Sequence, residues 1–132
     1  RRVLFRSAQK KGVSKAIMVR DNIVTEEKSG NIFIVKDGIV LTHPNGGKIL
    51  PGITKQLIIE LLHQHNIPVW EKEFSEEELL HADEVMVTDT NSEIVPVIKV
   101  NDIIIGNGAR GEITKKIQML YKSLIEEKCG KL

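Results

Sequence analysis

Apolar residues recur along this chain at two different spacings. Ala16 to Val19 and Ile23 to Thr25 flank Asp21 and Asn22, and Ile32 to Val35 and Ile39 to Leu41 flank Asp37-Gly38. Both pairs read as β-hairpins, and Asp-Gly suits a type I′ turn, whose two central residues need positive φ. From Ile53 the spacing changes. Leu57, Ile58, Leu61 and Leu62 share one helical face and stop before Asn66 and Pro68, which predicts a helix of about three turns. Ser75 and Glu78 form a capping-box pattern ahead of Leu79 and Leu80, so a short helix is expected there. Val85 to Val87, Ile94 to Val100 and Ile103 to Ile105 read as strands, and Ile113, Ile117, Leu120 and Leu124 mark a closing amphipathic helix. Strands and helices alternate without internal repeats or a long linker. The expected class is α/β (α+β), a mixed sheet with flanking helices.

Composition narrows the function classes. A chain of 132 residues with 41% hydrophobic content can bury one ordinary core, so one domain is expected. Nineteen basic residues against eighteen acidic ones leave a net charge of +1, and no segment concentrates basic residues with interleaved aromatics. A nucleic-acid surface is therefore not indicated. The apolar runs are too short to cross a bilayer and the N-terminus lacks a secretory h-region, which points to a cytoplasmic protein without a membrane partner. The single cysteine, Cys129, lies in a polar tail and can form no internal disulfide, which fits a reducing compartment.

Residues 1–7, RRVLFRS, stand apart. One back-translation of this heptapeptide resembles the end of a widely used sequencing adapter, so native sequence is expected from near Ala8. The alternative is a basic helix end belonging to a larger protein. Under both readings the chain looks cut at its N-terminus.

Three stretches carry candidate chemistry. In "ILPGITKQL", residues 49–57, a proline and a glycine precede the start of the first long helix. A helix N-terminus presents unpaired N–H groups and partial positive charge, which attract a phosphate or carboxylate. Gly52 permits close approach to the backbone, and Thr54 adds a hydroxyl beside the amides of Ile53 and Thr54. An ordinary loop-to-helix junction stiffened by Pro51 accounts for the same residues. In "MVTDTNSEIVPV", residues 86–97, short hydroxyl and amide side chains lie between two apolar strands; they serve either as turn chemistry or as the second half of a phosphate cup. In "NIVTEEKSGNIFIVKDG", residues 22–38, Glu26 ends a strand ahead of a loop with Ser29 and Gly30. Such a carboxylate is either a solvated surface group or, inside a cleft, one that demands a cationic partner.

In this order the three stretches resemble the fold-type IV (class IV) aminotransferases that use pyridoxal 5'-phosphate, above all the D-amino-acid branch. The likeness rests on "VTEEKSGNIFIVKDGIVLTHP", "ILPGITK", "NIPVWEKEF", "DEVMVTDTNSEIVPVIKV" and "GEITKKIQ". It runs from about Gly12 to Tyr121 and implies that residues 8–132 are the C-terminal, cofactor-binding domain of such an enzyme. The resemblance implies that Glu26 faces the pyridine nitrogen and keeps it protonated. It implies that Gly52, Ile53 and Thr54 hold the cofactor phosphate and that Thr90, with Asn91 beside it, closes the cup. Ser29 and Ser92 would lie on the substrate side. Asn31 matches the asparagine after the serine-rich loop and would fix that loop, although a strand-edge turn residue explains it equally.

Several positions depart from the family pattern. Glu27, Lys28, Ser29 and Gly30 stand where relatives commonly have glycine and serines. Asp89 replaces a small neutral residue, Lys55 replaces an arginine, a mild change if the side chain serves only the surface, and Lys15 stands where glutamate is frequent. The lysine that forms the Schiff base with the cofactor is expected upstream of Arg1, since Lys10, Lys11 and Lys15 fall in the wrong segment. The family also implies a small N-terminal domain and a homodimer.

Three functions follow as alternatives. The first is transamination between a D-amino acid such as D-alanine and a 2-oxo acid such as 2-oxoglutarate, in a full-length parent of which this chain alone is inactive. The second is branched-chain L-amino-acid transamination, with a lyase acting on aminodeoxychorismate as a more distant relative. The third is a noncatalytic phosphate-ligand binding module. Elsewhere, His63 and His65 are two apart and point to different helix faces, which argues against a zinc pair. His43 and His81 are expected at the surface, Trp70 in packing at an edge, and Cys129 has no histidine nearby in sequence.

Overall fold

The computed structural model describes residues 2–7, 14–20, 23–27, 31–44, 53–88, 94–100, 103–108 and 111–129, and side chains within most of that range. It contains strands β1 (Arg2–Ser7), β2 (Ser14–Arg20), β3 (Ile23–Glu27), β4 (Ile32–Lys36) and β5 (Ile39–Thr42), then helix α1 (Ile53–Gln64) and strand β6 (Val69–Glu71). Helix α2 (Glu76–Leu80), strands β7 (Glu84–Thr88), β8 (Ile94–Val100) and β9 (Ile103–Ile104), and helix α3 (Glu112–Cys129) complete the chain.

The strands form one mixed sheet in the order β3-β2-β1-β8-β7-β4-β5-β6, with β9 pairing β8. Every pairing is antiparallel except β5 with β6. Pro96 sits in the middle of β8 opposite Met86, although proline cannot donate to a ladder. The pairing with β1 begins only at Val97, so Pro96 lies beyond the stretch where β8 has partners on both sides.

Both faces of the sheet are covered. On β4, Ile32 and Ile34 point into a core shared with Phe74, Leu79, Val85 and Val97, while Phe33 and Val35 point to the opposite face, against Ile58, Leu62 and Ile117 of α1 and α3. Strands buried on both sides read as continuous apolar runs, which is why IFIV and VMV show no polar alternation.

Local sequence signals translate directly. Asp37 and Gly38 take φ of 52° and 80°, the left-handed conformations of a type I′ hairpin. At the end of α1, Asn66 has φ of 58°, its N–H reaches the His63 carbonyl at 3.3 Å, and the Ile67 N–H reaches Leu62 at 2.9 Å. That is a Schellman termination ahead of Pro68. The Ser75 hydroxyl accepts the Glu78 N–H and the Glu78 carboxylate accepts the Ser75 N–H, both at 3.0 Å, closing the capping box of α2.

Two strands were not expected. Residues 2–7 form β1, between β2 and β8, rather than a basic helix end. Val69–Glu71 is too short for a periodic signal, and it becomes a strand by adding to β5, with the Val40 N–H bonded to the Pro68 carbonyl at 2.9 Å. Trp70 lies on this edge strand and is 52% exposed. No helix among the described residues is long and apolar enough to cross a membrane.

Candidate active site

The strand directions gather the chemically marked stretches at one end of the sheet. Thr88, the last residue of β7, pairs with Ile94, the first of β8, and Val87 pairs with Ile32 at the start of β4. Phe33 pairs with Thr42, the last residue of β5, so the segment leading to α1 leaves from the same end. Only residues 28–30 separate Glu27, the last residue of β3, from Asn31, which bonds Thr88, so β3 also finishes near this end with Glu26 and Glu27. Glu26, the start of α1 and the paired ends of β7 and β8 thus come to one rim, although up to 68 positions separate them in sequence (94 minus 26).

Hydrogen bonds tie these segments together. The Asn31 N–H donates to Thr88 Oγ1 at 2.9 Å and the Thr88 N–H donates to the Asn31 carbonyl at 2.8 Å, with both residues buried. The residue that follows the 28–30 segment is therefore clamped to the one that precedes segment 89–93. On the far side of that segment, Gln118 of α3 donates to the Ile94 carbonyl at 2.8 Å. Thr42 Oγ1 donates to the Ile32 carbonyl at 3.0 Å, which joins the end of β5 to the start of β4.

The two long helices differ at their N-termini. α3 is neutralised from within: Glu84 Oε1 accepts from the Thr114 N–H at 2.7 Å and from Thr114 Oγ1 at 2.8 Å, and Oε2 accepts from the Ile113 N–H at 3.2 Å. α1 has no acidic residue in its first turn, and its third residue is a lysine. The first turn of α1 thus supplies no carboxylate of its own, and its positive end suits an anion.

Lys55 and His43 correct the sequence reading. Lys55 is 1% exposed, and its Nζ donates to the His43 carbonyl. Burial holds its pKa below the ordinary value, with the nearby Glu71 carboxylate opposing that shift. His43 is 7% exposed, with Nδ1–H donating to the Pro44 carbonyl at 2.8 Å. Its Nε2 lies 3.7 Å from Glu73 Oε1. His63, His65 and His81 are exposed, and His81 caps the end of α2.

The sequence-predicted residues divide into two groups. Glu26 lies in β3 opposite Met18, and Ile53 and Thr54 open α1, with their side chains outside the described part. Ser29, Gly52, Asp89, Thr90, Asn91 and Ser92 lie outside the described residues. Gln118 and Glu84 were missed, and the bonds made by Thr88 and Lys55 were not foreseen. Each carries an ordinary polar side chain whose partner is remote in sequence, so no local pattern marks it.

The family comparison decides the framework. The model of the amino-transferase class IV family matches residues 4–100. The chain belongs to that family. Among class IV relatives it is 37% identical to the D-alanine aminotransferase of Bacillus licheniformis over 126 residues, covering 95% of this chain and 44% of that protein. It is 40% identical over 119 residues to the D-alanine aminotransferase of Staphylococcus aureus (strain N315), covering 90% of this chain and 42% of that protein. The structure superposes on the branched-chain amino acid aminotransferase of Escherichia coli with a TM-score of 0.80 and 38% identity, over 86% of this chain and 39% of that one. A T.th. branched-chain amino acid aminotransferase, complexed with N-(5'-phosphopyridoxyl)-L-glutamate, superposes with a TM-score of 0.81 and 25% identity, over 89% of this chain and 39% of that one. The class IV fold expected from the residues is thus the fold observed. The chain spans less than half the length of the curated relatives it matches.

Proposed function

We propose that this chain is the cofactor-binding part of a pyridoxal-phosphate-dependent D-amino-acid aminotransferase, acting on D-alanine and 2-oxoglutarate to give pyruvate and D-glutamate. The observation that carries this reading is the meeting of the Glu26 strand end, the start of α1 and the paired ends of β7 and β8 at one rim. A carboxylate and a helix N-terminus with no acidic residue in its first turn, at the same rim, fit a cofactor with a protonatable ring nitrogen at one end and a phosphate at the other.

When bound, pyridoxal phosphate supplies an electron sink for the charge left on the substrate Cα after its proton is removed. In this reading Glu26 keeps the proton on the pyridine nitrogen. The backbone amides of Ile53 and Thr54, the Thr54 hydroxyl and the close approach permitted by Gly52 hold the phosphate. Thr90 and Asn91 close the cup from the β7–β8 turn, and Ser29 and Ser92 face the substrate. In this reading the covalent lysine is supplied from outside this chain, which alone is expected to be inactive. The same reading implies a homodimeric, cytoplasmic parent.

The D-amino-acid assignment is favoured by relatives at 37% to 40% identity. Branched-chain L-amino-acid transamination is the second reading, favoured by the superposition on the Escherichia coli enzyme at 38% identity. The test is to recover the full open reading frame, purify its product with pyridoxal phosphate and supply 2-oxoglutarate with D-alanine or L-leucine. Pyruvate and D-glutamate from D-alanine support the first reading, and 4-methyl-2-oxopentanoate from L-leucine supports the second. A product that takes up no cofactor would leave the noncatalytic binding module.

A further inference from the structure

Lys55 occupies a costly position for a cation. A positive charge in the first turn adds to the partial positive charge of the helix N-terminus instead of offsetting it. Taking an ammonium out of water costs more again unless it is bonded and counter-charged. Lys55 accepts both penalties: it is the third residue of α1, it is 1% exposed, and α1 carries no acidic residue in that turn. Among the described residues, the His43 carbonyl after β5 takes its hydrogen bond and the Glu71 carboxylate at the end of β6 acts on its charge, while Glu73 lies 3.7 Å from the His43 ring.

The bond to His43 joins residues 12 apart in sequence and fastens the first turn of α1 to the end of β5. That turn contains the amides of Ile53 and Thr54. Fixing their direction, and setting a positive charge behind them, favours an anion in front of the helix.

We propose that Lys55 is a positioning residue for the phosphate end of the cofactor site, holding the first turn of α1 through the His43 carbonyl. This rests on the reading that the family's cofactor binds at this rim. Lys55 acts on the phosphate and not on the ring, so it distinguishes ligands that differ only in that group.

The test uses the full-length protein and compares the dissociation constants of pyridoxal phosphate and pyridoxal, read from cofactor absorbance, for the wild type, Lys55→Met and Lys55→Arg. Lys55→Met is expected to weaken pyridoxal phosphate about tenfold or more, the loss of one charge-assisted bond, and to leave pyridoxal unchanged. Lys55→Arg, which keeps a charged donor, is expected to restore most of the difference. If Lys55→Met does not fold, Lys55→Gln carries the same comparison. Equal weakening of both ligands, or none, would overturn the proposal, as would an arginine variant that folds yet behaves like the methionine one. A wild type that binds pyridoxal but gains nothing from the phosphate overturns the role of Lys55 alone, whereas one that binds neither ligand overturns the cofactor reading as well.

Discussion

Asn31 and Thr88 exchange two hydrogen bonds across 57 positions of sequence, N–H to Oγ1 at 2.9 Å and N–H to carbonyl at 2.8 Å. The pair closes the rim end of the β4–β7 ladder one step beyond the Ile32–Val87 pairing. It also sets the spacing between the segment after Glu26 and the segment after β7, the two stretches whose side chains the proposed site needs together.

Removing the Thr88 hydroxyl strands a buried N–H. Thr88→Val keeps the shape of the side chain but leaves Asn31 without its side-chain acceptor, and a stability loss of about 1–3 kcal/mol is expected. Thr88→Ser keeps the acceptor and is expected to lose about 1 kcal/mol for one buried methyl. Urea titrations of the two variants check the order. If Thr88→Ser is the more damaging, packing rather than the hydrogen bond holds this end of the sheet.

Gln118 holds the other end of segment 89–93 through the Ile94 carbonyl. Gln118→Leu is expected to cost about 1 kcal/mol in unfolding free energy. In the full-length protein it is also expected to speed cofactor loss during dialysis, because Ile94 opens the strand that follows the proposed phosphate cup. Unchanged cofactor retention would show that Ile94 does not transmit to the cup.

Much of this arrangement is legible in the sequence, and the reason is local. The Asp37-Gly38 turn, the Ser75–Glu78 capping box and the 58, 61, 62 face of α1 each express a short-range rule, and each appears where the residues predicted it. What sequence does not reveal depends on remote partners. β6 exists because β5 offers an edge, Glu84 serves α3 from 30 positions away, and the buried Lys55 bonds a carbonyl 12 positions away. His43 precedes a proline in a polar stretch and reads as surface. It is buried, and its carbonyl takes the Lys55 bond.

Glu84 and Gly111 form a coupled pair. A Cβ on Gly111 would overlap the Glu84 carboxylate that caps α3, so Gly111→Ala must displace that carboxylate from Ile113 and Thr114. Glu84→Ala is expected to cost about 1–2 kcal/mol through loss of the cap. Gly111→Ala should cost at least as much, and the double variant less than the sum, since the cap can be lost only once. A double-mutant cycle by thermal or urea unfolding measures the coupling. Strict additivity would mean that Gly111 serves α3 in some way other than by leaving room for Glu84.

The buried ammonium of Lys55 gives stability a specific pH dependence. Burial lowers its pKa in the folded chain below the ordinary 10.5, with Glu71 partly restoring it. Between the lowered value and 10.5 the unfolded chain binds more protons than the folded one, so this group makes the fold more stable as pH rises through that window. Below the window both states are charged and the contribution is flat. The unfolding free energy of the wild type is therefore expected to gain on that of Lys55→Met as pH increases through the alkaline range towards 10.5, in urea titrations at several pH values. A difference that shrinks with rising pH would mean that the Lys55 charge is stabilised by its surroundings more than burial opposes it.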